Sequence, residues 1–96
     1  MSGDETRHAV VRGRVQGVGY REFCVEAARG LGVRGWVRNR HDGTVEALLQ
    51  GDPASLDALC GQLREGPPAA WVQALDVTRA AGAIPTFDRF DRMPTG

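Results

Sequence analysis

One short stretch of the sequence combines the residue types that bind an anion. The segment "GRVQGVGYR", residues 13–21, contains three glycines and two arginines at the point where an apolar alternation gives way to a helical pattern. Gly17 and Gly19 allow a loop to turn its N–H groups inward and let a ligand approach the backbone closely. Arg21 adds a planar, permanently charged fork that suits phosphate or carboxylate. We call residues 14–21 the glycine loop, and its composition predicts a cradle for a tetrahedral oxyanion.

A tight strand-to-helix turn with a solvated arginine is the alternative interpretation of the glycine loop. The better-known phosphate motifs do not fit this chain. All twelve basic residues are arginine, so no Walker A lysine exists. The stretch "GLGVRG", residues 30–35, matches GxGxxG by letters, but it follows a predicted helix and precedes a predicted strand, the reverse of the required context. The loop also contains no serine, and position 15, where a cysteine phosphatase needs its cysteine, is Val15. We therefore expect no covalent intermediate.

The remaining reactive side chains predict neither a metal nor a redox site. His8 and His41 have no cysteine, histidine or carboxylate at metal-ligand spacing. Cys24 and Cys60 form no CxxC pair, and each falls in a helical pattern, which predicts reduced, half-buried thiols. We expect no metal and no cofactor.

Length and composition predict one small globular domain. The chain has 96 residues, 42% of them hydrophobic and 25% charged, and its formal net charge is zero. No apolar run is long enough to span a membrane, and the acidic opening segment is not a signal peptide. Residues 1–48 hold eight arginines against six acids and residues 49–96 hold four against six, a balance that argues against a general nucleic-acid binder. We expect a cytoplasmic monomer, a single domain over residues 1–96 with flexible ends at 1–6 and 93–96.

The periodicity along the chain predicts two helices and at least four strands. One helix begins near Tyr20 and ends at Gly32, and another begins after the N-cap residue Asp52 and ends at Gly66. An Asp-Gly pair at 42–43 indicates a hairpin. Strands are predicted over 7–15, 33–39, 44–50 and 71–79, with at most a short edge strand within 87–92.

This β-α-β-β-α-β order predicts an α+β, ferredoxin-like split β-α-β sandwich, with an antiparallel sheet and both helices on one face. The first two strands are joined through a helix, so they run parallel and their carboxyl ends lie at the same sheet edge. The second of these strands ends at Asn39, the only asparagine in the chain. We therefore expect Asn39 to meet the glycine loop.

Residues 11–51, "VRGRVQGVGYREFCVEAARGLGVRGWVRNRHDGTVEALLQG", closely resemble the acylphosphatase family. That family's loop reads approximately GxVQGVxFR, and its second strand ends in GWVRN before a DG hairpin and VE. The resemblance implies that Arg21 binds the phosphoryl group and that Asn39 orients the attacking water. It also implies that backbone amides cradle the phosphate oxygens, namely those of Gln16, Gly17, Val18, Gly19 and Tyr20. The chain departs from the pattern at Tyr20, usually phenylalanine, and at Arg92, where an aliphatic residue is usual.

The reaction implied by the resemblance needs few reactive side chains, which agrees with the small number that this sequence offers. A small acyl phosphate releases a carboxylate, whose conjugate acid has a pKa of about 4, so its departure needs no general acid. Phosphoryl transfer to water passes through a loose, charge-rich transition state, which positioning and electrostatic stabilisation can serve. The expected activity is metal-free hydrolysis of the carboxyl-phosphate bond to a carboxylate and inorganic phosphate.

Two other functions remain as alternatives. RNA-recognition domains share the β-α-β-β-α-β order, and "RGWVRNRH" resembles the start of their basic-aromatic motif, but Val37 and Arg38 break the match and it falls on the second strand. A non-catalytic, anion-binding relative is the second alternative, because the domain also resembles the N-terminal module of a larger carbamoyl-transferring maturation protein. For a chain of this length we expect no such partner domain.

Overall fold

A computed structural model describes residues 3–82 and 84–96. Five strands and two helices follow the predicted order. They are β1 (Glu5–Arg14), α1 (Tyr20–Gly30), β2 (Arg34–Asn39), β3 (Val45–Gly51), α2 (Pro53–Glu65), β4 (Trp71–Arg79) and β5 (Phe90–Arg92). The boundaries differ from the predicted ones by one or two residues, except that the edge strand predicted within 87–92 is regular only over its last three residues.

Local sequence signals determine where both helices begin and end. The Asp52 carboxylate accepts hydrogen bonds from the backbone N–H groups of Ala54 and Ser55, both at 3.2 Å, and this caps α2. The same helix ends at Gly66, whose φ of 70° is in the left-handed region that glycine adopts without strain. α1 begins after Gly19, also left-handed with a φ of 80°.

The strands form one sheet in the order β4-β1-β3-β2-β5. The three pairings among the four long strands are antiparallel, as predicted, and the short edge strand β5 pairs parallel to β2, which makes the sheet mixed. The path of the chain explains this pairing. β4 starts beside Arg14 and ends beside Arg7, so the following segment leaves the sheet at the end away from the glycine loop and β5 runs back alongside β2.

The core lies between the sheet and the two helices, as in the predicted α+β sandwich. Val11, Val37 and Leu49 contribute the inward faces of the central strands, and Leu56 and Leu63 meet them from α2. Inward and outward residues alternate along β2, which is the pattern of a sheet with one covered face.

The opposite face of the sheet carries paired charges. Arg12 binds Asp76 at 3.2 Å, and Arg38 binds Glu46 at 2.8 Å. Arg38 also lies over the ring of Trp36, 5.2 Å from its centroid. The charges of Arg12 and Arg38 are thus largely neutralised by neighbouring side chains.

Both ends of the described chain make backbone contacts. Glu5 and Thr6, within the end that we predicted to be flexible, belong to β1 and pair with β3. At the other end, the N–H of Met93 donates to the Val37 carbonyl at 2.8 Å, and the N–H of Gly96 donates to the Asn39 carbonyl at 3.0 Å. Neither helix of the described residues is long and apolar enough to cross a membrane.

Candidate active site

A pocket of about 190 Å³ opens where β1 and β2 end. Five residues of the glycine loop line it, namely Val15, Gly17, Gly19, Tyr20 and Arg21, together with Asn39 at the end of β2. β1 and β2 are each antiparallel to β3 and therefore parallel to each other, so their carboxyl ends lie at one edge, as the sequence predicted.

The backbone of the glycine loop leaves its donors free. Gly17 and Gly19 have φ values of 74° and 80°, and a Cβ at either position would meet nothing within 4 Å. The first backbone hydrogen bond of α1 runs from the N–H of Phe23 to the carbonyl of Gly19, at 3.1 Å. In the part of the chain that the structure describes, no backbone N–H between residues 16 and 22 donates to a backbone carbonyl. Free donors of this kind, with the positive end of the α1 dipole behind them, are suited to binding an anion.

Arg21 supplies a cation at the wall of this pocket. Its Nη1 lies 3.5 Å from the Met93 carbonyl oxygen, and the ion pairs among the described residues do not include it. The guanidinium is therefore available to a ligand in the pocket, because a single long hydrogen bond satisfies only a fraction of its five donors.

Asn39 contributes a buried polar atom without a partner. Its Oδ1 is inaccessible to solvent and accepts no hydrogen bond from the described residues. A buried acceptor left unpaired is costly, so the arrangement favours a water molecule or ligand that donates to this oxygen.

Gln16 holds the glycine loop against the β2–β3 hairpin. Its side-chain Nε2 donates to the carbonyl oxygens of Arg40 at 2.7 Å and Thr44 at 2.8 Å. The hairpin itself is closed by Asp42, which accepts from the hydroxyl and the N–H of Thr44, and these two bonds hold the pKa of Asp42 below its usual value. The sequence predicted a backbone role for Gln16, and no sequence pattern indicated this side-chain contact.

The side chains of Tyr20 and Val18 face the core. The Tyr20 hydroxyl donates to the Leu63 carbonyl at 2.7 Å, and Val18 packs against the buried cluster. Burial raises the pKa of Tyr20 well above its usual value and raises that of Cys24 to about 12. Both groups are therefore neutral near pH 7 and unsuited to act as nucleophiles. Of the five residues predicted to supply backbone amides, Gly17, Gly19 and Tyr20 line the pocket, whereas Gln16 and Val18 do not.

Two charged residues that the sequence did not assign to the site also line the pocket. Glu22 follows Arg21 in the first turn of α1, and Arg92 ends β5. Their side chains form an ion pair, with Arg92 Nη1 2.5 Å from Glu22 Oε1. Among the described residues, no group of three or more His, Cys, Asp or Glu side chains lies close enough to hold a metal ion.

Comparisons with known proteins give a consistent result. The family model described as Acylphosphatase matches residues 7–91. Acylphosphatase 1 of Ralstonia nicotianae is 58% identical over 90 residues, which cover 94% of this chain and 88% of that protein. The acylphosphatase of Cupriavidus pinatubonensis is 53% identical over 91 residues, covering 95% and 98%.

Solved structures agree with this sequence relationship. The crystal structure of acylphosphatase from Bacillus subtilis superimposes with a TM-score of 0.87 at 34% identity, covering 92% of this chain and 97% of that one. Full-length HypF gives a TM-score of 0.88 at 21% identity, but this chain covers 12% of it, a likeness of fold alone. The resemblance found in the sequence is confirmed, and the chain belongs to the acylphosphatase family.

Proposed function

We propose that this protein is an acylphosphatase that hydrolyses small acyl phosphates to a carboxylate and inorganic phosphate in one direct step. The glycine loop and Arg21 bind the phosphoryl group, and Asn39 holds the attacking water. One observation carries the proposal: a free guanidinium, a run of unpaired backbone N–H groups and a buried unpaired Oδ1 line the same pocket.

The phosphoryl oxygens are bound by three kinds of positive group. The backbone amides of residues 16–20 donate to them, and three of these residues, Gly17, Gly19 and Tyr20, line the pocket. The N-terminus of α1 adds its dipole, and Arg21 adds a full charge. These groups are fixed before the substrate arrives, because two left-handed glycines shape the loop and Gln16 holds it to the hairpin. Preorganised donors of this kind stabilise the charge that develops on the transferring group.

Asn39 orients the nucleophile. Its Oδ1 accepts a hydrogen bond from the water, which directs a lone pair of the water oxygen toward phosphorus. As the new P–O bond forms, the bond between phosphorus and the acyl oxygen breaks, and its electron pair leaves with the carboxylate. The proton released by the water is carried away by the phosphate product. A carboxylate is a good leaving group, so the site needs no general acid.

We also propose that the protein works as a cytoplasmic monomer without a nucleic-acid partner. The zero net charge of the chain and the pairing of Arg12 and Arg38 with acids support the absence of a nucleic-acid partner, because a nucleic-acid surface needs unpaired basic groups.

The proposal is tested by hydrolysis of benzoyl phosphate in the presence of a chelator. We expect turnover by the parent and a loss of about a hundredfold or more in kcat for Arg21→Ala and for Asn39→Ala. Arg64→Ala, which removes an exposed arginine of α2, is the matched control and keeps full activity. A folded parent without turnover, or full activity in either site variant, contradicts the proposal.

Binding of inorganic phosphate distinguishes the role of Arg21 in binding the anion from the role of Asn39 in orienting the water. Arg21→Ala loses phosphate affinity in calorimetric titration, because it lacks the cation that binds the anion. Asn39→Ala keeps that affinity, because Asn39 acts on the water. Circular dichroism of each variant shows whether it is folded.

A further inference from the structure

The pocket contains a second guanidinium that the proposed mechanism does not use. Arg92 pairs with Val37 across the parallel β2–β5 ladder, and paired residues of neighbouring strands point to the same face. Val37 is fully buried under the helices, so Arg92 points toward α1 and not toward the opposite face. There it meets Glu22, and both line the pocket together with Arg21 and Asn39.

The ion pair between Arg92 and Glu22 is exchangeable. The side chain of Arg92 is 51% exposed and that of Glu22 is 64% exposed. An exposed pair contributes little to stability because water already solvates both charges. An incoming anion can therefore replace Glu22 at the guanidinium without a large loss elsewhere.

We propose that Arg92 binds a carboxylate on the acyl part of the substrate, so that the enzyme prefers acyl phosphates that carry a second anionic group. This inference rests on the proposed function, since it assumes that the glycine loop holds the phosphoryl group. Glu22 keeps the guanidinium at the pocket rim in the free enzyme, and the substrate carboxylate replaces it on binding. A planar guanidinium fork matches a carboxylate in shape as well as charge.

The positions of the two arginines support a division of roles. Arg21 ends the glycine loop and belongs to the phosphoryl site, whereas Arg92 lines the same pocket from the edge strand β5, where it is paired with Glu22. A substrate whose phosphoryl group lies in the loop must extend its acyl group out of the pocket, past this rim.

A second contact between α1 and β5 provides a control for the possibility that the Arg92–Glu22 pair only links these two elements. Arg29 also connects α1 to β5, because its Nε and Nη2 donate to the Phe90 carbonyl at 3.2 and 3.0 Å. Arg29 does not line the pocket. The variant Arg29→Ala therefore removes a comparable tie between the same two elements and serves as the matched control for Arg92→Ala.

The test compares kcat/KM for succinyl phosphate, which carries a second carboxylate, with kcat/KM for benzoyl phosphate, which does not. We expect Arg92→Ala to lower the value for succinyl phosphate about tenfold, mainly through KM, because one charge-assisted contact is lost. The value for benzoyl phosphate and both values for Arg29→Ala stay close to those of the parent. Glu22→Gln raises the value for succinyl phosphate, because the competing carboxylate is gone. An equal loss on both substrates in Arg92→Ala, or the same selective loss in Arg29→Ala, overturns the proposal.

A binding measurement tests the proposed carboxylate site of Arg92 without relying on hydrolysis. Calorimetric titration with 4-phosphonobutyrate and with butylphosphonate compares a phosphonate that carries a carboxylate with one that does not. We expect the parent, but not Arg92→Ala, to bind 4-phosphonobutyrate more tightly, and this preference to shrink as salt screens the charges. Equal affinities in the parent overturn the proposal. A parent that shows the preference yet hydrolyses neither substrate supports the carboxylate site and contradicts the proposed function.

Discussion

The hydroxyl of Tyr20 lies 2.7 Å from the carbonyl oxygen of Leu63, and this contact joins the first residue of α1 to the last turn of α2. The carbonyl of Leu63 would normally accept from the N–H of residue 67, but that residue is proline and has none. Tyr20 supplies the missing donor. The hydroxyl that distinguishes Tyr20 from the family's usual phenylalanine therefore has a defined structural partner.

Tyr20→Phe is expected to lower the free energy of unfolding by about 1–2 kcal/mol, because it leaves a buried carbonyl unpaired. Urea unfolding measures this change. The kcat for benzoyl phosphate stays at the parent value, since Tyr20 is expected to serve the site through its backbone amide. A large loss of kcat in the folded variant would show that the phenol takes part in catalysis.

Gly19→Ala is expected to weaken phosphate binding as well as stability. The left-handed conformation costs alanine about 1–2 kcal/mol, and the added methyl group projects into space that the protein itself leaves open. Gly32→Ala is the matched control, because Gly32 has a φ of 70° with equally open space but lies at the other end of α1. The two variants should unfold at similar urea concentrations, and only Gly19→Ala should bind phosphate more weakly in calorimetric titration. Equal phosphate affinity in the two variants would contradict the cradle.

Gln16→Ala is expected to lower kcat, because Gln16 fixes the glycine loop relative to Asn39. Without its two hydrogen bonds the glycine loop is no longer fixed to the hairpin that follows Asn39, so phosphoryl group and water lose their alignment. In the double variant with Asn39→Ala, the loss from Gln16→Ala should largely disappear, because the water is no longer held. Gln73→Ala, on the exposed part of β4, is the control. Fully additive losses in kcat would show that Gln16 acts independently of Asn39.

Glu46 is expected to stabilise the folded protein at neutral pH, and this stabilisation is expected to be lost in acid. Burial alone would raise the pKa of Glu46, but hydrogen bonds from His8 and Arg38 outweigh it and hold that pKa below its usual 4.5. Near this pH the folded state therefore binds fewer protons than the unfolded state. The stabilisation from Glu46 is fully present above pH 4.5 and is lost as the pH falls through the lower, folded-state pKa.

Urea unfolding of Glu46→Gln at a series of pH values checks this expectation. The variant should be less stable than the parent at neutral pH, and the difference should narrow as the pH falls. Glu65→Gln, on the exposed face of α2, is the control. A difference between Glu46→Gln and the parent that stays constant with pH would contradict the assignment.

The sequence predicted those parts of the structure that depend on local signals or on chain topology. Asp52 and Gly66 mark the ends of α2 because capping involves only neighbouring residues. Asn39 could be placed beside the glycine loop because strands joined through a helix run parallel. Contacts between distant residues could not be predicted in this way. Nothing in the sequence around Gln16 identifies the hairpin carbonyls as its acceptors. β5 has only three residues, so no periodic pattern could predict its direction or the position of Arg92 in the pocket lining.

The pairing of β5 with β2 also determines when the lining of the pocket can be completed during synthesis. The contact joins segments far apart along the chain, so its loop-closure cost is among the largest in the fold. On the ribosome, β1, α1 and β2 emerge long before Arg92 and Met93. The pocket wall beside Arg21 therefore stays incomplete until Arg92 has been synthesised and β5 has paired with β2.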